Sequence, residues 1–259
     1  MQLITELKNQ VFTLTLNRPD VSNALNAQLI TLLNESVLMA HNSEDIRALV
    51  LRGSGKNFSA GADLNWMRSM KDLTMEANVN DAKALANLMY NLAHCRKPVL
   101  AVVQGAVMGG GVGLAACADV VIAEEQTFFA LSETRLGLSP ATISPFVVRA
   151  IGVRQASRYM LTGERFSSEK ALALGLVHEV VEANEIEATV DSLINHLLKG
   201  GPASHRKIKK LIRDVNTRAV DETLMENLAW RIANQRISDE GQEGLSAFLD
   251  KRSPNWSSN

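Results

Sequence analysis

Cysteine is nearly absent. Only Cys95 and Cys117 occur in 259 residues, each beside apolar or helical sequence, which excludes a disulfide framework and fits buried free thiols in a reducing compartment. A surplus of charge is missing too: 27 basic residues nearly cancel 28 acidic ones, so no global field draws the chain to nucleic acid or an anionic membrane, and a small-molecule partner is the default. No window reaches the roughly 18 uninterrupted apolar residues of a membrane-spanning helix. Met1 to Glu6 has neither the basic-then-apolar layout of a secretory signal nor the Arg-rich character of a transit peptide, so a cytoplasmic or already processed protein is expected. The five histidines show no ligand spacing, and His178-Glu179 lacks the second histidine of H-E-x-x-H, so no metal is expected. Internal repeats and low-complexity tracts are likewise missing.

What remains is 46% hydrophobic and 21% charged, ordinary for a globular chain, and long enough to bury about three quarters of its unfolded surface. Val11 to Leu16 alternates branched or aromatic residues with threonine, the period of a half-buried strand, and Asn17-Arg18-Pro19-Asp20 stops it. From Asn26 to about His41 apolar residues recur at helical spacing. Ile46 to Leu51 and Pro98 to Val103 read as strands buried on both faces. Helices are expected from Leu64 to Met70 and from Met75 to about Cys95, with short strands at Asp119 to Ala123 and Phe128 to Leu131. Beyond Arg154 the pattern is almost wholly helical, so strands are expected to stop at mid-chain, and Ser253 to Asn259 reads as a loose polar tail. Strand and helix alternation followed by helices predicts an α/β core with a helical carboxy-terminal part.

Two glycine-bearing loops carry the chemistry, Phe58-Ser59-Ala60-Gly61-Ala62-Asp63 and Met108-Gly109-Gly110-Gly111-Val112-Gly113. Each follows a buried strand and leads into a helix. Amides at a helix amino terminus point outward at the positive end of its dipole, so two such loops facing one another can hold one oxyanion. The rival reading of the second loop is a dinucleotide fingerprint, since Gly111 to Ala116 satisfies G-x-G-x-x-A and Glu133 lies twenty residues past Gly113. Only about seven residues separate Gly111 from Asp119, too few for the full helix that fingerprint needs. A purely structural glycine turn is the third reading.

These loops, with Leu16-Asn17-Arg18-Pro19 and Asn23-Ala24-Leu25-Asn26 before them and Cys117-Ala118-Asp119, Leu131-Ser132-Glu133, Leu161-Thr162-Gly163, Ala173-Leu174-Gly175-Leu176-Val177 and Phe248-Leu249-Asp250-Lys251-Arg252 after them, resemble the enoyl-CoA hydratase/isomerase (crotonase) superfamily over nearly the whole chain. The resemblance implies a crotonase-like ββα spiral core over residues 1–195, a helical trimerisation part over 196–259, and a homotrimer or dimer of trimers. It implies that the amides of Ala62 and Gly110 polarise an acyl-CoA thioester carbonyl. Glu133 matches the second of the two catalytic glutamates of the family and would exchange a proton with the carbon beside the thioester. Ala24, Leu25, Ala60, Asp63 and Leu64 would border coenzyme A. Lys56 would meet its phosphates, as would Phe248 and Lys251 from a neighbouring subunit. Coenzyme A enters with the substrate, so no separate cofactor is implied.

One departure matters. The first hydratase glutamate is replaced by Gly113, leaving one carboxylate where simple hydration uses two. A lone second glutamate suits a double-bond isomerase, and a thioester hydrolase can use the same hole. Yet Ser59 to Met67 and Ser132 to Pro145 are similar to a branch containing methylglutaconyl-CoA and carboxygeranoyl-CoA hydratases, whose members share glycine here. Hydration is therefore the expected reaction, with Phe128, Phe129, Leu131 and Leu136 raising the Glu133 pKa by desolvation. Branch substrates carry a second carboxylate, for which Arg68, Arg135 and Arg149 are candidate partners, although each reads more readily as an ordinary surface or structural arginine. The basic run His205 to Arg213 is read as a solvated helix face rather than an RNA site, although some relatives bind RNA.

Overall fold

The computed structural model describes residues 1–257. In chain order its strands and helices are β1 (Leu3–Lys8), β2 (Val11–Leu16), α1 (Ala27–Asn42), β3 (Ala48–Gly53), α2 (Leu64–Ser69), α3 (Met75–Ala93), β4 (Val99–Val103), β5 (Ala106–Met108), α4 (Gly110–Cys117), β6 (Val120–Glu124), β7 (Phe128–Ala130), α5 (Ser144–Thr162), β8 (Arg165–Ser167), α6 (Ser168–Leu174), β9 (Glu179–Val181), α7 (Ile186–Lys199), α8 (Pro202–Asn216), α9 (Glu222–Arg236) and α10 (Asp239–Leu249). The alternation of Val11 to Leu16 becomes β2, with Phe12, Leu14 and Leu16 buried. Asn26 caps α1 by accepting from the Leu29 amide at 2.9 Å, satisfying one of the orphan donors of the first turn.

Six strands form one sheet in the order β1-β2-β3-β4-β6-β9, and β5, β7 and β8 form a second. All neighbours from β2 to β9 run parallel; β1 pairs antiparallel with β2. The chain places one strand in the large sheet, the next in the small sheet and then a helix, as in β4-β5-α4 and again from β6 to β7. Ser59 bridges Val107 and so brings the segment after β3 to the edge of the small sheet. Repetition of that ββα unit is the predicted spiral. Both faces of the large sheet are covered: Leu49, Leu51, Ala101 and Val103 face the main core, while Val50, Leu100 and Ile122 pack with Val190 and Ile194 of α7. This double burial explains why β3 and β4 read as unbroken apolar runs.

Strands do not stop at mid-chain. β8 and β9 lie beyond Arg154, β9 as an edge strand parallel to β6 and β8 antiparallel to β7. Each has only three residues, too short for periodicity to separate it from flanking helix. β1 and β5 were also unanticipated. Only Leu3 of β1 is buried, so the strand carries no alternation; pairing with β2 holds it.

The basic run on α8 is not wholly solvated. Lys209 is buried and donates to the Lys97 carbonyl at 3.0 Å and to the Asp119 carboxylate. Asp119 also accepts from the Val99 amide at 2.8 Å, so one lysine ties α8 to the start of β4. At the other end of the run, Glu240 accepts from the Ala203 and Ser204 amides, both at 2.7 Å, closing the amino terminus of α8 with a negative charge. Ser253 to Ser257 of the expected tail are described, with Trp256 donating to the Lys199 carbonyl at 3.2 Å; Ser258 and Asn259 lie outside the described residues. Among the described residues no helix is long and apolar enough to cross a membrane, and both cysteines are buried free thiols.

Candidate active site

The first loop is set by its pairing with the segment before α1. Leu25 donates to the Gly61 carbonyl at 2.7 Å and accepts from the Asp63 amide at 2.9 Å, a parallel bridge opposite Ala62. In that pattern the two residues flanking Ala62 make both bonds, so the Ala62 N–H points away from Leu25. It donates to no acceptor among the described residues. Asp63 then caps α2, accepting from the Asn65 and Trp66 amides at 2.8 and 3.1 Å. The Arg18 guanidinium, 2.7 Å from Asp63, is the main cause holding that carboxyl below the usual carboxylate range.

Arg18 also donates to the Ala24 carbonyl, and the fully buried Asn23 donates to Ser54 and Asn57 carbonyls at 2.8 and 2.7 Å. Sequence reasoning did not assign these two residues. They brace the first loop, and the signal was their polar character in a segment joining a buried strand to a buried helix.

The second loop leaves β5 at Gly109, whose amide donates to the Ala130 carbonyl at 2.9 Å. Gly109 has φ of +48°, a left-handed conformation that a side chain would strain. A Cβ there would also lie 3.0 Å from Glu133 Oε1 and 3.8 Å from the Gly61 Cα. The residues immediately before Ala62 and Gly110 are therefore close neighbours. Gly110 is the first residue of α4, where an amide has no intrahelical acceptor, and it too donates to nothing among the described residues. Two residues with unpaired amides, Ala62 and Gly110, thus line one cavity of about 640 Å³ together with Glu133.

Glu133 opens a 3-10 turn directly after β7. Its Oε2 is buried and has no hydrogen-bond partner among the described residues. Burial, tempered by its own amide, pushes its pKa up. Of the apolar neighbours named from sequence, Leu136 lines the cavity. Phe129 and Leu131 belong to the main core, and Phe128 packs beneath the Arg165 guanidinium. No Glu133–Arg135 ion pair forms among the described residues.

Leu25, Ala60 and Leu64 line the cavity, whereas Ala24, Lys56 and Asp63 do not. Phe248 and Lys251 lie at the end of α10 and just beyond it, exposed and away from this cavity. Arg68, Arg135 and Arg149 are all exposed and none lines the cavity, which fits the reading of each as an ordinary surface arginine rather than a carboxylate partner. Charge alone suggested them, and the helical face each occupies turns them outward. Trp66, Met67, Met70 and Leu85 do line it, a wall that sequence reasoning missed although its residues sit at helical spacing in α2 and α3 and in the turn just after α2.

Gly113 has a physical reason. A Cβ on it would come within 2.9 Å of Ile143 Cβ and 3.2 Å of Met89 Cε, so Ile143, itself buried and at the cavity wall, occupies the space a side chain would need. The dinucleotide reading fails on the same loop. α4 has eight residues, and Glu133 lies past the following strand rather than at its end. Among the described residues no cluster of potential metal ligands occurs.

The enoyl-CoA hydratase/isomerase family model matches residues 6–259. The chain belongs to this family. A solved enoyl-CoA hydratase of Shewanella pealeana superposes with a TM-score of 0.96 at 42% identity, covering 99% of this chain and 96% of that one. The 2,3-dehydroadipyl-CoA hydratase of Escherichia coli is 33% identical over 98% of both chains. The trans-2-decenoyl-[acyl-carrier-protein] isomerase of Streptococcus mutans is 30% identical over 98% of this chain and 97% of its own. The ββα spiral is thus the crotonase-type fold. Family membership makes an acyl-CoA thioester consistent with the cavity and its two free amides, and makes the protein an enzyme.

Proposed function

We propose that the protein adds water across the conjugated double bond of a branched, carboxyl-bearing enoyl-CoA of the methylglutaconyl type. The observation that carries the proposal is a desolvated Glu133 in the same cavity as the unpaired amides of Ala62 and Gly110. In this reading the two amides take the thioester oxygen. As the water oxygen bonds to the distal alkene carbon, Glu133 accepts a water proton and the alkene electrons move into the thioester as an enolate. Glu133 then delivers that proton to the carbon beside the thioester, so one molecule of water is added and the carboxylate is restored. Asp81, the other acid lining the cavity, accepts from Trp66 Nε1 at 3.1 Å and serves the wall rather than the proton transfer.

A second reading is favoured by one observation. With Ile143 filling the space beside Gly113, Glu133 alone can shuttle a proton between two carbons, as an isomerase requires. Incubation with methylglutaconyl-CoA is expected to consume the conjugated thioester absorbance. A gain of that absorbance from a nonconjugated 3-enoyl-CoA would instead establish the isomerase, and release of free thiol a hydrolase.

The same reading assigns Ala24, Leu25, Ala60, Asp63 and Leu64 to the adenine and pantetheine, largely through main-chain groups, and Lys56 to a phosphate. Phe248 and Lys251 reach coenzyme A in a neighbouring subunit. Residues 196–259 assemble a homotrimer, or a dimer of trimers, acting in the cytoplasm. No cofactor beyond the coenzyme A of the substrate is required.

A further inference from the structure

We infer that Lys71 determines acyl specificity by receiving a carboxylate at the far end of the acyl group; this rests on the hydration reading above. α2 begins at the first loop and leads away from it. The eight residue-to-residue steps from Asp63 to Lys71, at about 1.5 Å of rise each, carry the backbone roughly 12 Å from the first loop. Lys71 lies in the turn that ends this run and lines the cavity. Trp66, Met67, Met70, Leu136 and Leu138 form much of the cavity wall, with Asn78, Asp81, Ser139 and Thr142 as polar members of the lining.

The charged groups facing this cavity are Lys71, Asp81 and Glu133. Glu133 stands beside Gly109 at the reacting end. Asp81 is held by Trp66 Nε1. Lys71 takes part in no ion pair among the described residues, although Asp72 adjoins it in sequence. A cation with no ion-pair partner in a cavity whose other charged groups are acids selects for an anion brought by the ligand, because a carboxylate drawn against its many apolar groups needs a charged donor. Among the described residues lining the cavity, Lys71 is the one cation.

The test compares kcat/KM for methylglutaconyl-CoA with that for crotonyl-CoA, a neutral enoyl thioester, in the wild type and in Lys71→Met, Lys71→Arg and Lys71→Glu. The ratio of acid to neutral substrate is expected to fall by about tenfold in Lys71→Met, as for loss of one hydrogen bond to a charged group. It falls further in Lys71→Glu and is retained in Lys71→Arg. Added salt should narrow the gap between wild type and Lys71→Met. Lys71 is exposed, so thermal melts should confirm that all variants fold. An unchanged ratio in Lys71→Met and Lys71→Glu would overturn the assignment alone, including the case in which Lys71 holds a coenzyme A phosphate and both substrates suffer equally. Failure of the wild type to turn over either substrate would overturn the hydration reading and this inference with it.

Discussion

Glu133→Gln is expected to lower kcat by about 10²- to 10⁴-fold, the usual contribution of a positioned general acid–base, while leaving the fold intact. The amide keeps the shape of the side chain and its place beside Gly109 but cannot take a proton from water. Desolvation holds the Glu133 pKa above its ordinary value, so the wild-type kcat/KM should fall on the acid side with a midpoint above the usual carboxylate range. That limb should vanish in the variant. Stability supplies an independent sign. Because the folded-state pKa is raised, the carboxyl destabilises the fold only where it must ionise. The penalty is absent below the unfolded pKa, of about 4.3, grows as pH rises, and is complete above the folded pKa. Melting temperatures measured across this range should show Glu133→Gln gaining on the wild type as pH increases. Full turnover by the variant would contradict the proposed role.

The second large effect concerns Gly113. Gly113→Ala places a Cβ against Ile143 and Met89, and overpacking of this kind costs about 1–3 kcal/mol. A drop of about 2–4 °C in melting temperature per kcal/mol follows for a chain of this size. Gly113→Glu adds a carboxylate to the same crowded, apolar space, and its cost should be larger, because a buried charge without a partner is added to the overlap. Pairing each substitution with Ile143→Ala should recover part of the loss, with coupling of about 0.5–3 kcal/mol in a double-mutant cycle. Strict additivity would show that Ile143 does not exclude a side chain here. The cycle separates two explanations of the single-carboxylate site: a missing residue that can simply be restored, or a wall rebuilt so that it cannot.

The sequence foretold elements whose pattern is local. Val11 to Leu16 declared a half-buried strand by alternation, Asn26 declared a helix start by its capping oxygen, and the two glycine loops declared exposed amides because tight turns into helices leave them unpaired. Glu133 was legible through the resemblance and gained its physical reason from burial. What stayed hidden depends on partners far along the chain. β8 and β9 exist because β7 and β6 offer edges to pair with, and no three-residue segment announces that. Ile143 lies thirty residues from Gly113, so its exclusion of a side chain is a fact of packing between α4 and the start of α5. Lys71 was passed over for three arginines because charge can be counted in a sequence, whereas the direction of a helical face is set by the core beneath it. Lys209, read as one of several solvated cations, proved to be buried against Asp119 for the same reason.

Catalysis as proposed rests on the Ala62 and Gly110 amides, unpaired among the described residues, converging on one thioester oxygen. A crystal structure of the Glu133→Gln enzyme with an enoyl-CoA bound tests it most directly. The thioester oxygen is expected at about 2.7–3.1 Å from both main-chain nitrogens, with the carbon beside the thioester facing residue 133. A thioester oxygen turned to solvent, or bonded to other groups while either amide is left free, would contradict it.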